Sequence, residues 1–228
     1  MKINYCLPII KNTKQEVLSM INNSESNYDY FEIWLDYIID LDNDFVKTLI
    51  EDFQGKLVLL FRRQNLEAIH MDLQKRKDTI SSLENTNSLL DLDISMQQEE
   101  LEYIKENNLN VKLITSYHNY DETPGSDTLQ KTISEMDYYN PHIYKIGTLC
   151  QTENDAVTLL QILLILKQQE KKYIVLGMGE KGNITRIFGT LWGNEMIFAP
   201  KEKTENSAPG QLTKSQLEDI FSVLSSRP

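Results

Sequence analysis

Short runs of β-branched, aliphatic and aromatic residues alternate along the chain with longer segments whose apolar positions recur at helical spacing. The runs that read as strands are Ile3 to Ile9 (INYCLPI), Tyr30 to Leu35 (YFEIWL), Leu57 to Arg62 (LVLLFR) and Leu89 to Ile94 (LLDLDI). Four more follow: Val111 to Ser116 (VKLITS), His142 to Thr148, Tyr173 to Met178 (YIVLGM) and Met196 to Ala199 (MIFA). Their starts lie roughly 20 to 30 residues apart, the length of a strand, a helix and two loops in a parallel βα unit. Eight such units predict an α/β protein with a (β/α)8 barrel fold. No low-complexity linker or change of composition divides residues 1–228, so the expectation is one domain.

The intervening segments predict helices. Lys14 to Asn22 carries Val17, Leu18 and Ile21 on one face. Ser95 is expected to cap a helix containing Glu99 to Asn107. Asn154 to Lys167 is strongly apolar and is expected to pack Val157, Leu160, Leu164 and Ile165 against the sheet. Thr213 to Ser225 reads as a Thr-capped helix with Leu217, Ile220, Phe221 and Leu224 inward.

Composition narrows the function classes. Of the 228 residues, 40% are hydrophobic and 9% aromatic, enough for a sizeable globular core. The formal net charge of -11 argues against nucleic acid or an anionic membrane as partner, because the overall field repels both. An anionic small-molecule substrate would therefore need locally placed arginines. Two cysteines, Cys6 and Cys150, give no disulfide framework, and no run reads as a signal peptide or a membrane span. The expected location is the cytoplasm.

In a barrel of this kind the chemistry sits at the C-terminal ends of the strands. Lys145 stands there inside the apolar run NPHIYKIGT, next to Gly147, which permits a close approach to the backbone. Desolvation disfavours an ammonium and would leave a free amine able to attack a carbonyl and form a Schiff base. A strand-end lysine that snorkels to water or pairs with a carboxylate explains the same residue. The neighbouring strands offer Glu32 with Asp36, Arg62 with Arg63, Asp91 with Asp93, and Ser116 with His118. Alternate strand positions share a direction, so Asp91 faces as Asp93 does and Ser116 as His118 does. His118 precedes a polar loop and is open to a general-base role, whereas His70 and His142 read as surface or satisfied histidines. The glycines of GMGEKGN lack a phosphate-loop pattern, and turn geometry is expected to explain Gly179 and Gly182. No histidine or cysteine spacing fits a metal site.

Several segments together resemble the type I 3-dehydroquinate dehydratases. SYHNYDETP at Ser116 to Pro124 is similar to the family's S-N-H-D-F-x-x-T-P, and PHIYKI around Lys145 to its D-x-x-K-I. SAPGQ at Ser207 to Gln211 is identical to the family's run, and FEIWLD, LLFR, LDLD and MGEKGNITR fall in the family's order. The resemblance covers nearly the whole chain. It implies that Lys145 forms an imine with the C3 ketone of 3-dehydroquinate and that His118 removes a C2 proton and then protonates the departing C1 hydroxyl. It implies substrate contacts from Cys6, Glu32, Arg62, Arg186, Ser207 and Gln211, with no metal or cofactor, and a homodimer.

The chain also departs from the pattern. After Glu32 the family has W-R where this chain has Ile33 and Trp34, so Trp34 stands in the place of a substrate-binding arginine. Asp93 replaces the usual glutamate of strand four, and Glu67 is the shifted counterpart of a glutamate near the histidine. Arg63 is a candidate replacement for the missing cation. These departures keep two other readings in view: another Schiff-base lyase such as an aldolase, and a non-catalytic binding protein on the same fold.

Overall fold

The structure, a computed structural model, describes residues 2–225. Strands and helices alternate: β1 (Tyr5–Ile9), α1 (Lys14–Asn22), β2 (Tyr30–Trp34), α2 (Asn43–Asp52), β3 (Leu57–Leu60), α3 (Leu73–Ser82), β4 (Leu89–Asp93) and α4 (Gln98–Glu106). The second half continues with β5 (Lys112–Asn119), α5 (Ser126–Asp137), β6 (Ile143–Leu149), α6 (Glu153–Gln168), β7 (Tyr173–Met178), α7 (Asn183–Trp192), β8 (Ile197–Phe198) and α8 (Lys214–Ser225). All strand pairings are parallel, in the order β7-β6-β5-β4-β3-β2-β1-β8. The amide of Glu195, just before β8, donates to the Tyr173 carbonyl of β7 at 2.9 Å and draws the two ends of the sheet together. The result is the expected (β/α)8 barrel.

Side-chain alternation sorts the apolar residues into two cores. One faces the helices, with Leu7, Ile9, Phe31, Ile33, Leu57 and Leu59 on the outside of the barrel. The other fills the inside with Cys6, Val58, Leu89, Ile114, Ile143, Ile174 and Phe198. Inward positions turn polar toward the C-terminal ends of the strands: Leu89 is followed by Asp91 and Asp93, Ile114 by Ser116 and His118, and Ile143 by Lys145. The barrel therefore has an apolar floor and a charged top.

Helix starts are fixed by local chemistry. Thr13 and Glu16 form a reciprocal capping box at α1, as do Thr152 and Asp155 at α6. Thr213 caps α8 as expected, its hydroxyl accepting from the Gln216 amide at 3.4 Å. Ser95 does not cap α4: its amide donates to Asp93 Oδ1 at 2.9 Å, and the helix starts after Gln97, whose side-chain oxygen accepts from the Asp93 amide at 2.9 Å. The turn that would have been a cap is spent on holding Asp93.

Two helix faces differ from expectation. In α6 the buried residues are Ala156, Leu159, Ile162, Leu163 and Leu166, whereas Val157 and Leu164 are exposed. That helix is apolar nearly all round, so periodicity alone could not choose its inner face. In α8 Leu217 and Phe221 are buried but Leu224 is exposed. Strand β5 also runs further than expected, so His118 lies within the strand and takes its direction from the sheet.

Candidate active site

Asp91 is the hub of the charged layer. Its Oδ2 accepts from Lys145 Nζ at 2.6 Å and from Arg62 Nη2 at 3.3 Å, while Oδ1 accepts from Ser116 Oγ at 2.5 Å and Arg62 Nη1 at 3.3 Å. Ser116 on β5 is the direct neighbour of Lys145 on β6, and Asp91 lies one strand further and two residues below Asp93, the partner of Ser116 on β4. Burial works against charge on Asp91, but Arg62, Lys145 and His118 hold its carboxyl well below the usual carboxylate range. Glu32 Oε1 also accepts from Lys145, at 3.3 Å.

Two carboxylates decide the state of the lysine. Burial alone pushes an ammonium down, as the sequence predicts, yet Asp91 and Glu32 outweigh it and Lys145 lies above its ordinary value. The expectation of a free amine at rest is thus corrected: Lys145 rests as a buried ammonium. Phe198 covers it, with Nζ 4.4 Å from the ring centroid.

His118 has an orienting carboxylate, and it is Asp93. Asp93 Oδ2 lies 2.8 Å from His118 Nδ1 and accepts from the His118 amide at 3.1 Å. The pairing leaves Nε2 as the nitrogen available to a ligand. Burial and then Arg62 push the imidazole below its ordinary value, partly opposed by Asp93, so His118 is neutral at pH 7. A Cβ on Gly147 would stand 3.2 Å from His118 Cδ2, so the glycine makes room for the ring.

The far side of the site is built on α7. Arg186 is 2% exposed, its Nε has no hydrogen-bond partner, and its Nη2 donates only to the Pro209 carbonyl at 3.4 Å. Among the described residues no carboxylate pairs with it, and burial pushes the guanidinium down to about 10, still charged at neutral pH. A buried cation without a counter-ion is a place for an anion. The loop after β8 closes over it: Ser207 and Gln211 bond each other in both directions at 2.8 Å. Gly210, at φ +77, packs where a Cβ would meet the Gly179 carbonyl at 2.5 Å.

Glu32, Trp34, Arg62, His118, Lys145, Arg186, Ser207 and Gln211 all line one cavity of about 30 Å³. Cys6 does not: it is fully buried beneath Glu32 in the apolar floor, where burial pushes its thiol well up. The substrate contact expected of Cys6 is corrected on that ground. Glu67 points to solvent, its side chain 63% exposed, and Arg63 bonds the Asp36 carbonyl and carboxylate at 3.1 Å outside the cavity. Neither supplies the site. His70 and His142 are both exposed. Trp34 Nε1 donates to Glu32 Oε2 at 2.9 Å, and its ring lies 5.7 Å from the Arg62 guanidinium.

Residues missed from the sequence complete the walls: Tyr120, Leu176, Met178, Phe198 and Ala208. Leu176 and Met178 share the inward direction of their strand, which alternation could have shown. Gly179 has φ +77 and fits the turn reading, but Gly182 has φ -75. Its reason is space, since a Cβ there would lie 2.4 Å from the Gly177 carbonyl carbon. Among the described residues no group of three or more His, Cys, Asp or Glu is placed to hold a metal ion, and no helix is long and apolar enough to cross a membrane.

Known proteins share this fold. Residues 5–228 match the family described as type I 3-dehydroquinase. A 3-dehydroquinate dehydratase of Coxiella burnetii is 29% identical over 216 residues, covering 95% of this chain and 91% of that one. One of Methanococcus maripaludis is 28% identical over 224 residues, covering 96% and 99%. The crystal structure of the Geobacillus kaustophilus 3-dehydroquinate dehydratase superposes with a TM-score of 0.82 at 20% identity, covering all of this chain and 93% of that one. The type I enzyme of Clostridium difficile, solved with covalently modified comenic acid, gives 0.80 at 21%, covering 98% and 92%.

Proposed function

We propose, from the premise that the chain belongs to the type I 3-dehydroquinase family, that it is a hydro-lyase converting 3-dehydroquinate to 3-dehydroshikimate and water through an imine on Lys145. The observation that carries the residue roles is the convergence of Lys145, the Asp93-oriented His118 and the counter-ion-free Arg186 on one cavity.

Arg186 takes the substrate carboxylate with its planar fork. The C3 ketone then faces Lys145. The ammonium gives a proton to the neutral His118 imidazole, the amine adds to C3, and the carbinolamine oxygen leaves as water carrying the proton His118 returns. The net exchange is ammonium plus ketone for iminium plus water. His118 next removes a proton from C2, and the C–H electrons move toward the iminium nitrogen to give an enamine. Return of those electrons expels the C1 hydroxyl, which takes the proton from His118 and departs as water. Hydrolysis of the conjugated iminium restores Lys145 and releases the product.

Asp91 and Glu32 serve the charged intermediates. The iminium inherits the place of the ammonium, so carboxylates that stabilise the resting lysine also stabilise the cation on which the elimination depends. The arrangement calls on no metal or cofactor, and the chain acts as one catalytic domain, cytoplasmic and homodimeric by its family resemblance. Sedimentation of the purified protein tests the dimer.

The direct test is appearance of the conjugated enone of 3-dehydroshikimate when the protein meets 3-dehydroquinate. Turnover that is lost in Lys145→Met supports the reading. Carboxylate binding without product would favour a binding protein instead.

A further inference from the structure

Across Ser116 to Pro124 the family pattern carries phenylalanine at the position of Tyr120, so this chain adds a hydroxyl to the cavity. At Trp34 it removes a cation from the same cavity. We propose that the Tyr120 hydroxyl is a second hydrogen-bond donor to the substrate carboxylate, acting beside Arg186. This rests on the dehydratase reading above.

Tyr120 follows β5 directly and lies over His118, the rings 6.5 Å apart and 22° from parallel. A phenylalanine would cover the histidine equally well, so the stacking does not account for the hydroxyl. That hydroxyl makes no hydrogen bond to the protein among the described residues. Tyr120 and Arg186 line the same cavity of about 30 Å³, so a ligand seated there meets both. Burial pushes the phenol above its ordinary value despite Arg62 and Lys145, so it stays protonated and donates. A neutral donor strengthens carboxylate binding without adding a charge beside Lys145.

The Tyr120→Phe variant keeps the ring and removes only the donor. We expect its KM for 3-dehydroquinate to rise about tenfold with kcat within about twofold, the size of a lost hydrogen bond to a charged group. Calorimetric titration uses two probes that form no imine: the C3 alcohol analogue of the substrate, and the same compound with a primary carboxamide in place of the carboxylate. The variant should lose about tenfold in affinity for the carboxylate probe and markedly less for the carboxamide. Equal affinity of both proteins for the carboxylate probe overturns the Tyr120 contact, as does an equal loss for both probes. The titration needs no turnover, so an original chain that binds the carboxylate probe through Tyr120 yet yields no product fails only the dehydratase reading. Absence of binding in both proteins overturns both.

Discussion

Lys145 Nζ lies 2.6 Å from Asp91 Oδ2, inside a barrel top where Asp91 also takes both terminal Arg62 nitrogens and the Ser116 hydroxyl. The pairing sets the chemistry of the resting site. It keeps the lysine protonated against the burial that opposes its charge, and it holds a negative charge beside the lysine nitrogen. In the proposed reaction nucleophilicity is gained only when a substrate arrives and the proton moves to His118.

Removing one of the two carboxylates should release the amine. In Glu32→Gln the lysine loses a charge that raises its pKa, so the pKa falls and the free-amine fraction grows at any fixed pH below it. Carbamylation of Lys145 by cyanate, followed by peptide mass analysis at pH 8, is expected to run several-fold faster than in the original chain. An unchanged or slower rate would show that Glu32 does not hold the proton.

Asp93 orients His118 and partly restores its basicity. Asp93→Asn should lower kcat by roughly 10²- to 10⁴-fold, the scale of a displaced general base. Because the base works in its neutral form, activity falls as pH drops through the imidazole pKa, which lies below 6.5 here. Loss of Asp93 lowers that pKa further, so the acid limb of the kcat/KM profile should move to lower pH. A limb that moves upward would contradict the pairing.

Trp34 occupies the family's arginine position and already bonds Glu32 through its indole N–H. Trp34→Arg can keep that bond and return a cation to the cavity, so KM should fall about tenfold or more, since a charged hydrogen bond contributes about 1.5 to 3 kcal/mol. Steady-state kinetics check it. An unchanged or higher KM would mean that the pocket has been rebuilt around the indole.

Gly182 is packed against backbone. In Gly182→Ala the new Cβ would meet the Gly177 carbonyl carbon at 2.4 Å and its oxygen at 2.5 Å, so the start of α7 must shift. Overpacking of this kind costs about 1 to 3 kcal/mol. Denaturant unfolding should show that loss, with a raised KM because α7 carries Arg186. A variant of full stability would place the tolerance in a loop that yields.

Much of the fold and of the site is legible in the sequence. Strand runs such as YIVLGM gave β7 at its observed bounds because a buried parallel strand is a continuous apolar run closed by glycine. Inward alternation brought Asp91, Asp93, Ser116 and His118 to one face, and the motif around SAPGQ supplied the loop that covers them. The inner face of α6 was not legible, since a helix apolar on every side carries no moment to orient it. The sign of the lysine's shift was not legible either. It depends on whether Asp91 on β4 and Glu32 on β2 approach within hydrogen-bond reach, and only the closed barrel with its strand registers decides that. The place of Cys6 is not legible because sequence does not reveal height in the barrel: Cys6 pairs with Tyr30, one inward position below Glu32, and belongs to the floor.

The central claim is that Lys145 carries the reaction as an imine. Borohydride added to the protein with 3-dehydroquinate should reduce that imine and leave a stable adduct, which peptide mass analysis should place on Lys145, with product formed in a parallel sample without borohydride. Product without any adduct on Lys145 would contradict the account.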